Sequence, residues 1–181
     1  MSQFIFIKGA RVSFPHLFTK PIINGDEGSC GATLMLDRTK HKATIEKIKA
    51  DGEELRKNAL KNARVPDDKW CLRAGEDKGR PEYDGYDVVS ANNRGRPTVI
   101  DGTGTGVVTN EEDNKIYAGC YVNAKIRLWA QNNKYGKRIN AELVSIQFSA
   151  DGEPLDSSYV SVDEAMEGFG ATGTDDDFLD S

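Results

Sequence analysis

Rings and cations alternate with apolar side chains over residues 116–131. The even positions are Ile116, Ala118, Cys120, Val122, Ala124, Ile126, Leu128 and Ala130; the odd ones are Tyr117, Gly119, Tyr121, Asn123, Lys125, Arg127, Trp129 and Gln131. Successive strand side chains point to opposite faces, so the pattern predicts one long strand with a dry face and an acid-free face of aromatics and cations. Such a face suits single-stranded nucleic acid: bases stack on the rings, for about 1–3 kcal/mol each, while the cations follow the phosphates. At about 3.3 Å per residue the strand would run roughly 50 Å. It is therefore expected to curve as barrel strands do, or to break at a bulge near Gly119.

The next residues continue the pattern. Asn132-Asn133-Lys134-Tyr135-Gly136 reads as a turn with an exposed ring, flanked by Lys137 and Arg138. The returning strand puts Ile139, Ala141 and Leu143 on one face, then Val144, Ile146 and Phe148 on the other. That change of phase demands a bulge near Leu143–Val144. The long irregular connection 64–97 adds further rings and cations between its Gly and Pro breaks, and loops of that length in a compact domain are commonly functional. The candidate binding residues are thus Tyr117, Tyr121, Lys125, Arg127, Trp129, Lys134, Tyr135, Lys137 and Arg138, with Tyr83, Tyr86, Arg94 and Arg96 from the connection.

These residues need a frame. Phe4–Phe14 is the first predicted strand, with Phe4, Phe6, Ala10, Val12 and Phe14 on alternate positions and Gly9 as a bulge position. A second strand places Ala32, Leu34 and Leu36 on one face. A helix follows, capped by Asp37 or Thr39, with Ile45, Ile48, Leu55 and Ala59 at helical spacing. Gly52 weakens it by about 1 kcal/mol relative to Ala, and it should stop before Pro66. Tyr86–Ala91 and Thr98–Ile100 read as short strands. The sum is a mainly β (α+β) protein: a curved, antiparallel, five-stranded barrel with one main helix and long loops, best matched by the oligonucleotide-binding (OB) fold.

Catalytic and metal chemistry find no support. Gly102-Thr103-Gly104-Thr105-Gly106 lacks the Lys-Ser/Thr ending of a phosphate loop and precedes no helical pattern, so it reads as a strand-joining loop. His16 and His41 join no nucleophile–acid constellation. Asp67, Asp68, Asp84 and Asp87 read as solvated loop acids rather than metal ligands. Cys30, Cys71 and Cys120 are far apart with no C-x-x-C pair, and are expected to be reduced, buried thiols. No enzyme, cofactor or metal is implied. Phe4–Ile7 is too short for a signal-peptide core or a membrane span.

Charge divides the chain. The last basic residue is Arg138; up to it there are 24 basic and 18 acidic residues, and beyond it 11 acidic and none basic. The net charge of −5 therefore conceals a basic body with an acidic end, a distribution suited to a polyanion-binding body. The terminus Asp175-Asp176-Asp177-Phe178-Leu179-Asp180 follows a Gly-rich spacer and has too little apolar surface to offset the entropy of ordering it. It is expected to be disordered and either to compete for a cationic groove or to hook a partner.

From Gly85 to Leu155 the chain resembles a family of small phage and prophage proteins first catalogued as a domain of unknown function. The resemblance lies in Gly85-Tyr86, Ser90-Ala91-Asn92, Arg96-Pro97 followed by Val99-Ile100-Asp101, Tyr117-Ala118-Gly119-Cys120-Tyr121-Val122, and Asp151-Gly152-Glu153-Pro154-Leu155; it extends towards Phe14-Pro15. It implies a non-catalytic phage protein that binds single-stranded DNA (ssDNA) through an OB fold, with a disordered acidic tail. Such a protein would act in DNA replication, recombination or repair in the cytoplasm of the infected bacterial host, as a monomer or dimer. The resemblance brings no fixed set of DNA-contacting positions. One departure is the Asn123–Arg127 segment, more cationic than the family pattern. Residues 1–158 are then the OB-fold ssDNA-binding domain and 159–181 the tail, whose partners would be replication or recombination proteins. The rival reading is a non-catalytic phage protein–protein adaptor whose basic face docks an acidic partner.

Overall fold

Five strand-forming runs close into one barrel in the computed structural model, which describes residues 4–155 and 166–170. The elements are β1 (Phe4–His16), β2 (Ile22–Ile23), β3 (Asp26–Glu27), β4 (Cys30–Asp37), α1 (Lys42–Asn58), β5 (Leu72–Ala74), β6 (Tyr86–Asn93), β7 (Thr98–Ile100), β8 (Tyr121–Asn133) and β9 (Gly136–Ala150). The sheet runs β5-β6-β4-β1-β8-β9-β7, and a parallel pairing of Ala91 and Asn92 with Ala141 and Glu142 joins β6 to β9. The barrel wall is therefore β1–β4–β6–β9–β8, the five-stranded OB architecture. β2 and β3 form a small separate hairpin.

Alternation drives the core. Val122, Ala124, Ile126 and Leu128 point inward from β8, against Ile139, Ala141, Leu143 and Ile146 of β9 and Leu34 and Leu36 of β4. α1 packs on β8 and β1, adding Ile45 and Ile48. The bulge expected in β9 falls at Val144, skipped between the pairs Lys125–Ser145 and Ile126–Leu143. Gly52 has a packing reason: a Cβ there would come within 2.5 Å of the Trp70 indole.

Several expectations change. β8 starts at Tyr121, so residues 116–120 are not part of it. The cause is Gly119, at φ +109°, where a Cβ would lie 2.1 Å from the Glu153 carbonyl oxygen. The chain bends there so that residues 151–155 can return, and the Leu155 N–H donates to the Ala118 carbonyl. In β1 the inward residues are Ile5 and Ile7, then Ala10 and Val12; Phe4 and Phe6 face out, 51% and 59% exposed. The bulge at Gly9 inverts the parity, its N–H donating to Asn123 Oδ1. Asp37 caps the turn that precedes the helix, accepting the Thr39 and Lys40 N–H groups, while His41 holds the N-cap position. His41 accepts the Asp37 N–H at Nδ1 and donates Nε2–H to the Lys8 carbonyl, tying α1 to β4 and β1.

The Gly-Thr repeat closes on its own carboxylate. Asp101 Oδ1 accepts the Thr103 hydroxyl and the N–H groups of Thr103 and Gly106, which hold its carboxyl below the usual range. All three cysteines are free and buried, and burial pushes the Cys71 thiol up to about 12. No helix of the described residues is long and apolar enough to cross a membrane.

Tyr83 is the clearest correction. It is 1% exposed and packs with Met35 and Val88, its hydroxyl donating to Ser13 Oγ at 2.9 Å. A ring so enclosed is unavailable for stacking. Tyr83→Phe should lower stability by about 1 kcal/mol, the net value of one buried hydrogen bond. A urea midpoint identical to wild type would show that the bond contributes nothing.

Candidate nucleic-acid interface

β8 and β9 form a hairpin whose outer surface carries polar groups because its inner surface is core. The tight turn at Lys134-Tyr135 is set by Asn133, which accepts the Tyr135 N–H, and by Gly136 at φ +105°. In this register Trp129 lies opposite Asn140, Gln131 opposite Arg138, and Arg127 opposite Glu142. The end of β6 adjoins them through the pairing that closes the barrel.

Together these elements line a groove of about 660 Å³, with Arg94, Arg127, Trp129, Arg138, Asn140 and Glu142 in its wall. Trp129 is 40% exposed. The amides hold one another in place: Asn140 Nδ2 donates to Gln131 Oε1, and Asn93 Nδ2 to the Leu143 carbonyl. The outer face of β8 carries no acid, but its partner β9 adds Glu142 to the groove. One terminal nitrogen of Arg127 donates to both of its oxygens, at 2.6 and 2.8 Å. Three guanidiniums against one carboxylate leave the groove cationic. The Arg127 Nε and second terminal nitrogen face no acceptor among the described residues, so they remain available to an anion.

Other candidates lie elsewhere. Lys134, Tyr135 and Lys137 are exposed at the hairpin tip, with Lys134 Nζ 5.1 Å from the Tyr135 ring. Tyr121 is 37% exposed, eight residues along β8 from Trp129 and so about 26 Å away. Tyr117 has left the strand: its hydroxyl takes the Gly152 N–H and faces Asp151 Oδ1 and the Gly152 carbonyl, each at 3.0 Å. Burial is the main cause that raises its phenol above the ordinary range. Tyr86 sits at the far end of β6 from Asn93, packed against the Met35–Tyr83–Val88 cluster, with its carbonyl bonded by Arg38. Arg96 stacks on Phe18 at 4.8 Å and donates to the Thr109 carbonyl. The acidic residues Asp175–Asp177, Phe178, Leu179 and Asp180 lie outside the described residues.

Sequence reasoning missed Phe4 and Phe6. Phe4 pairs with Arg127 and Phe6 with Lys125, which places both rings on the outer face. The available signal was Gly9: a bulge there shifts the parity of the strand by one residue, as it does.

A five-stranded OB barrel with a cationic, tryptophan-bearing groove on its outer wall belongs to a fold class that binds oligonucleotides and oligosaccharides. Within that class the chain belongs to the family described as "Enterobacter phage Enc34, ssDNA-binding protein", which matches residues 3–179. That family is a non-catalytic class of protein. The chain is similar to the structure of the single-stranded DNA-binding protein from bacteriophage Enc34 in complex with ssDNA. The two are 33% identical with a TM-score of 0.76, over 84% of this chain and 89% of that one. It is 32% identical over 177 residues to putative protein p50 of Acyrthosiphon pisum secondary endosymbiont phage 1, spanning 88% of this chain and 91% of the relative. The fold is also that of gp2.5, a single-stranded DNA-binding protein encoded by bacteriophage T7, at a TM-score of 0.60 and 12% identity over 96% of this chain and 98% of that one.

The chain has two tryptophans, and their settings differ: Trp129 is open, whereas Trp70 packs on α1 with its indole N–H bonded to the Val65 carbonyl. Trp129→Phe should remove most of the fluorescence that acrylamide quenches readily. An unchanged quenching constant would place Trp129 inside the protein.

Proposed function

We propose that this protein binds ssDNA with little regard for sequence, coating strands exposed during phage replication, recombination or repair in the host cytoplasm. The observation that carries this reading is the convergence of Arg94, Arg127 and Arg138 around Trp129 on the outer wall. The family membership, and a relative solved in complex with ssDNA, support it. In this reading a base stacks on Trp129, as any base can, so selectivity for sequence is low. The guanidiniums meet the phosphates, with Glu142 fixing the plane of Arg127. Lys134, Tyr135 and Lys137, exposed at the hairpin tip beyond Gln131 and Arg138, extend the cationic track at one end, and Lys125 continues it along β8.

Two measurements test it. Trp129→Ala should weaken poly-dT binding by about 1–3 kcal/mol, the contribution of one stack, with circular dichroism unchanged. Wild-type affinity in that variant would remove the groove from the interface. Arg94, Lys125, Arg127, Lys134, Lys137 and Arg138 offer six phosphate contacts, so log K should fall with log salt at a slope of about −4.2, from about −0.7 per phosphate on a single strand. A slope near zero contradicts the proposal.

We further propose that the terminal segment from Asp175 to Asp180 competes with DNA for the cationic groove and recruits replication or recombination proteins through Phe178 and Leu179. The charge division of the chain supports this. Truncation before Asp163 removes seven acids and changes the net charge from −5 to +2. Apparent ssDNA affinity should then rise by the reciprocal of the fraction of protein the tail had left free, and the gain should shrink as salt screens the competition. Equal affinities for full-length and truncated protein at low and moderate salt would leave only the recruiting role. Phe178→Ala should spare DNA binding and weaken capture of the replication or recombination partner.

A further inference from the structure

Outside the groove, two exposed rings stand side by side on β1. Phe4 and Phe6 project from the outer face of β1, and Lys8 follows them on the same side. Pairing with β8 sets Phe4 beside Arg127 and Phe6 beside Lys125. Lys125 Nζ lies 5.4 Å and the Arg127 guanidinium 5.5 Å from the Phe4 ring centre. These are cation–π distances, so the Phe4 ring is held among charges on the outer face, and Phe6 stands beside it, 59% exposed. Exposing two phenylalanines costs apolar burial, which argues for a ligand that covers them.

Phosphate-bearing single strands fit this patch better than a second protein surface does. At the matching positions β9 presents Ser145 and Gln147, and Glu142, farther along β9, is engaged by Arg127. The patch is also continuous with the groove, because Arg127 belongs to both. Rings two residues apart on a strand stand about 6.6 Å from each other. That is roughly twice the 3.4 Å between stacked nucleotides, a spacing suited to an extended strand whose bases separate and stack singly.

We infer that Phe4 and Phe6, with Lys125 and Lys8, form a second nucleotide-binding segment, over which a strand leaving the Trp129 groove passes along β1 and β8. The inference rests on the ssDNA reading of that groove. It makes the binding length of the protein longer than the groove alone provides.

The test uses the full-length chain and two oligothymidylates, one of about 5 and one of about 15 nucleotides, within the range of lengths that single OB folds occupy. Phe4→Ala/Phe6→Ala should weaken the longer oligonucleotide about fivefold or more per ring and leave the shorter one unchanged. Phe4→Leu/Phe6→Leu, which keeps apolar area but no stacking face, should lose affinity in the same length-dependent way. Unchanged binding of both lengths overturns the inference, as does an equal loss at both. A change of association state in sedimentation with DNA affinity unmoved would also overturn it, and assign the rings to a contact between copies. Trp129→Ala measured alongside separates the two ideas. If it weakens the short oligonucleotide while the phenylalanine variants do nothing, only the second segment fails; if it too does nothing, the groove reading fails.

Discussion

The surface described above depends on one short parallel contact, Ala91 and Asn92 of β6 against Ala141 and Glu142 of β9. It joins residues fifty positions apart and turns a curled sheet into a barrel with no free edge at that seam. Both alanines are buried, at 0% and 3% exposure, and their small side chains permit the close approach that larger ones would prevent. Because β6 is drawn against β9 there, Asn92, Asn93 and Arg94 are brought beside Arg138, Asn140 and Glu142. Without that contact the groove would have one wall.

Curvature is set by interruptions of the alternation more than by the alternation itself. The bulge at Val144 lets β9 reverse which residues face inward while β8 keeps its phase. Gly9 does the same for β1, and the bend at Gly119 keeps β8 from starting earlier, so that the segment after β9 can fold back. There Arg11 donates to the carbonyls of Gly119 and Glu153 and Leu155 bonds to Ala118, sealing that end of the barrel. Each device sits where a strand would otherwise run on straight, and bulges are how barrels bend.

Several guanidiniums outside the groove have structural partners. Arg38 joins Glu76, Asp87 and the Tyr86 carbonyl, and holds the Glu76 carboxyl at about 2. That pairing stabilises the fold at all pH above the ordinary carboxylate range and is lost only as pH falls towards 2. Arg56 bonds Glu53 and the carbonyls closing α1, and Arg96 lies on Phe18. The guanidiniums of Arg94 and Arg138, by contrast, enter no ion pair among the described residues.

The sequence by itself determined the inward and outward halves of β8, the bulge in β9, the tight turn at Lys134-Tyr135 and hence a curved barrel, because side-chain alternation and turn chemistry are local properties. Local pattern also placed Arg127, Trp129 and Arg138 on one surface. Tertiary structure decided the rest. Tyr83 and Tyr86 read as loop aromatics, yet Tyr83 is core because it is packed by Met35, from a strand nearly fifty residues earlier. Phe4 and Phe6 read as sharing a face with Ala10 and Val12, yet one inserted residue at Gly9 put them on the opposite, outer face. Tyr117 sat in perfect alternation with Tyr121, but the requirement that residues 151–155 pass over Gly119 broke the strand between them. Glu142 became a groove residue only through its register with Arg127. Pairings across many residues of intervening chain are settled by which surfaces can pack together, and no local period records them.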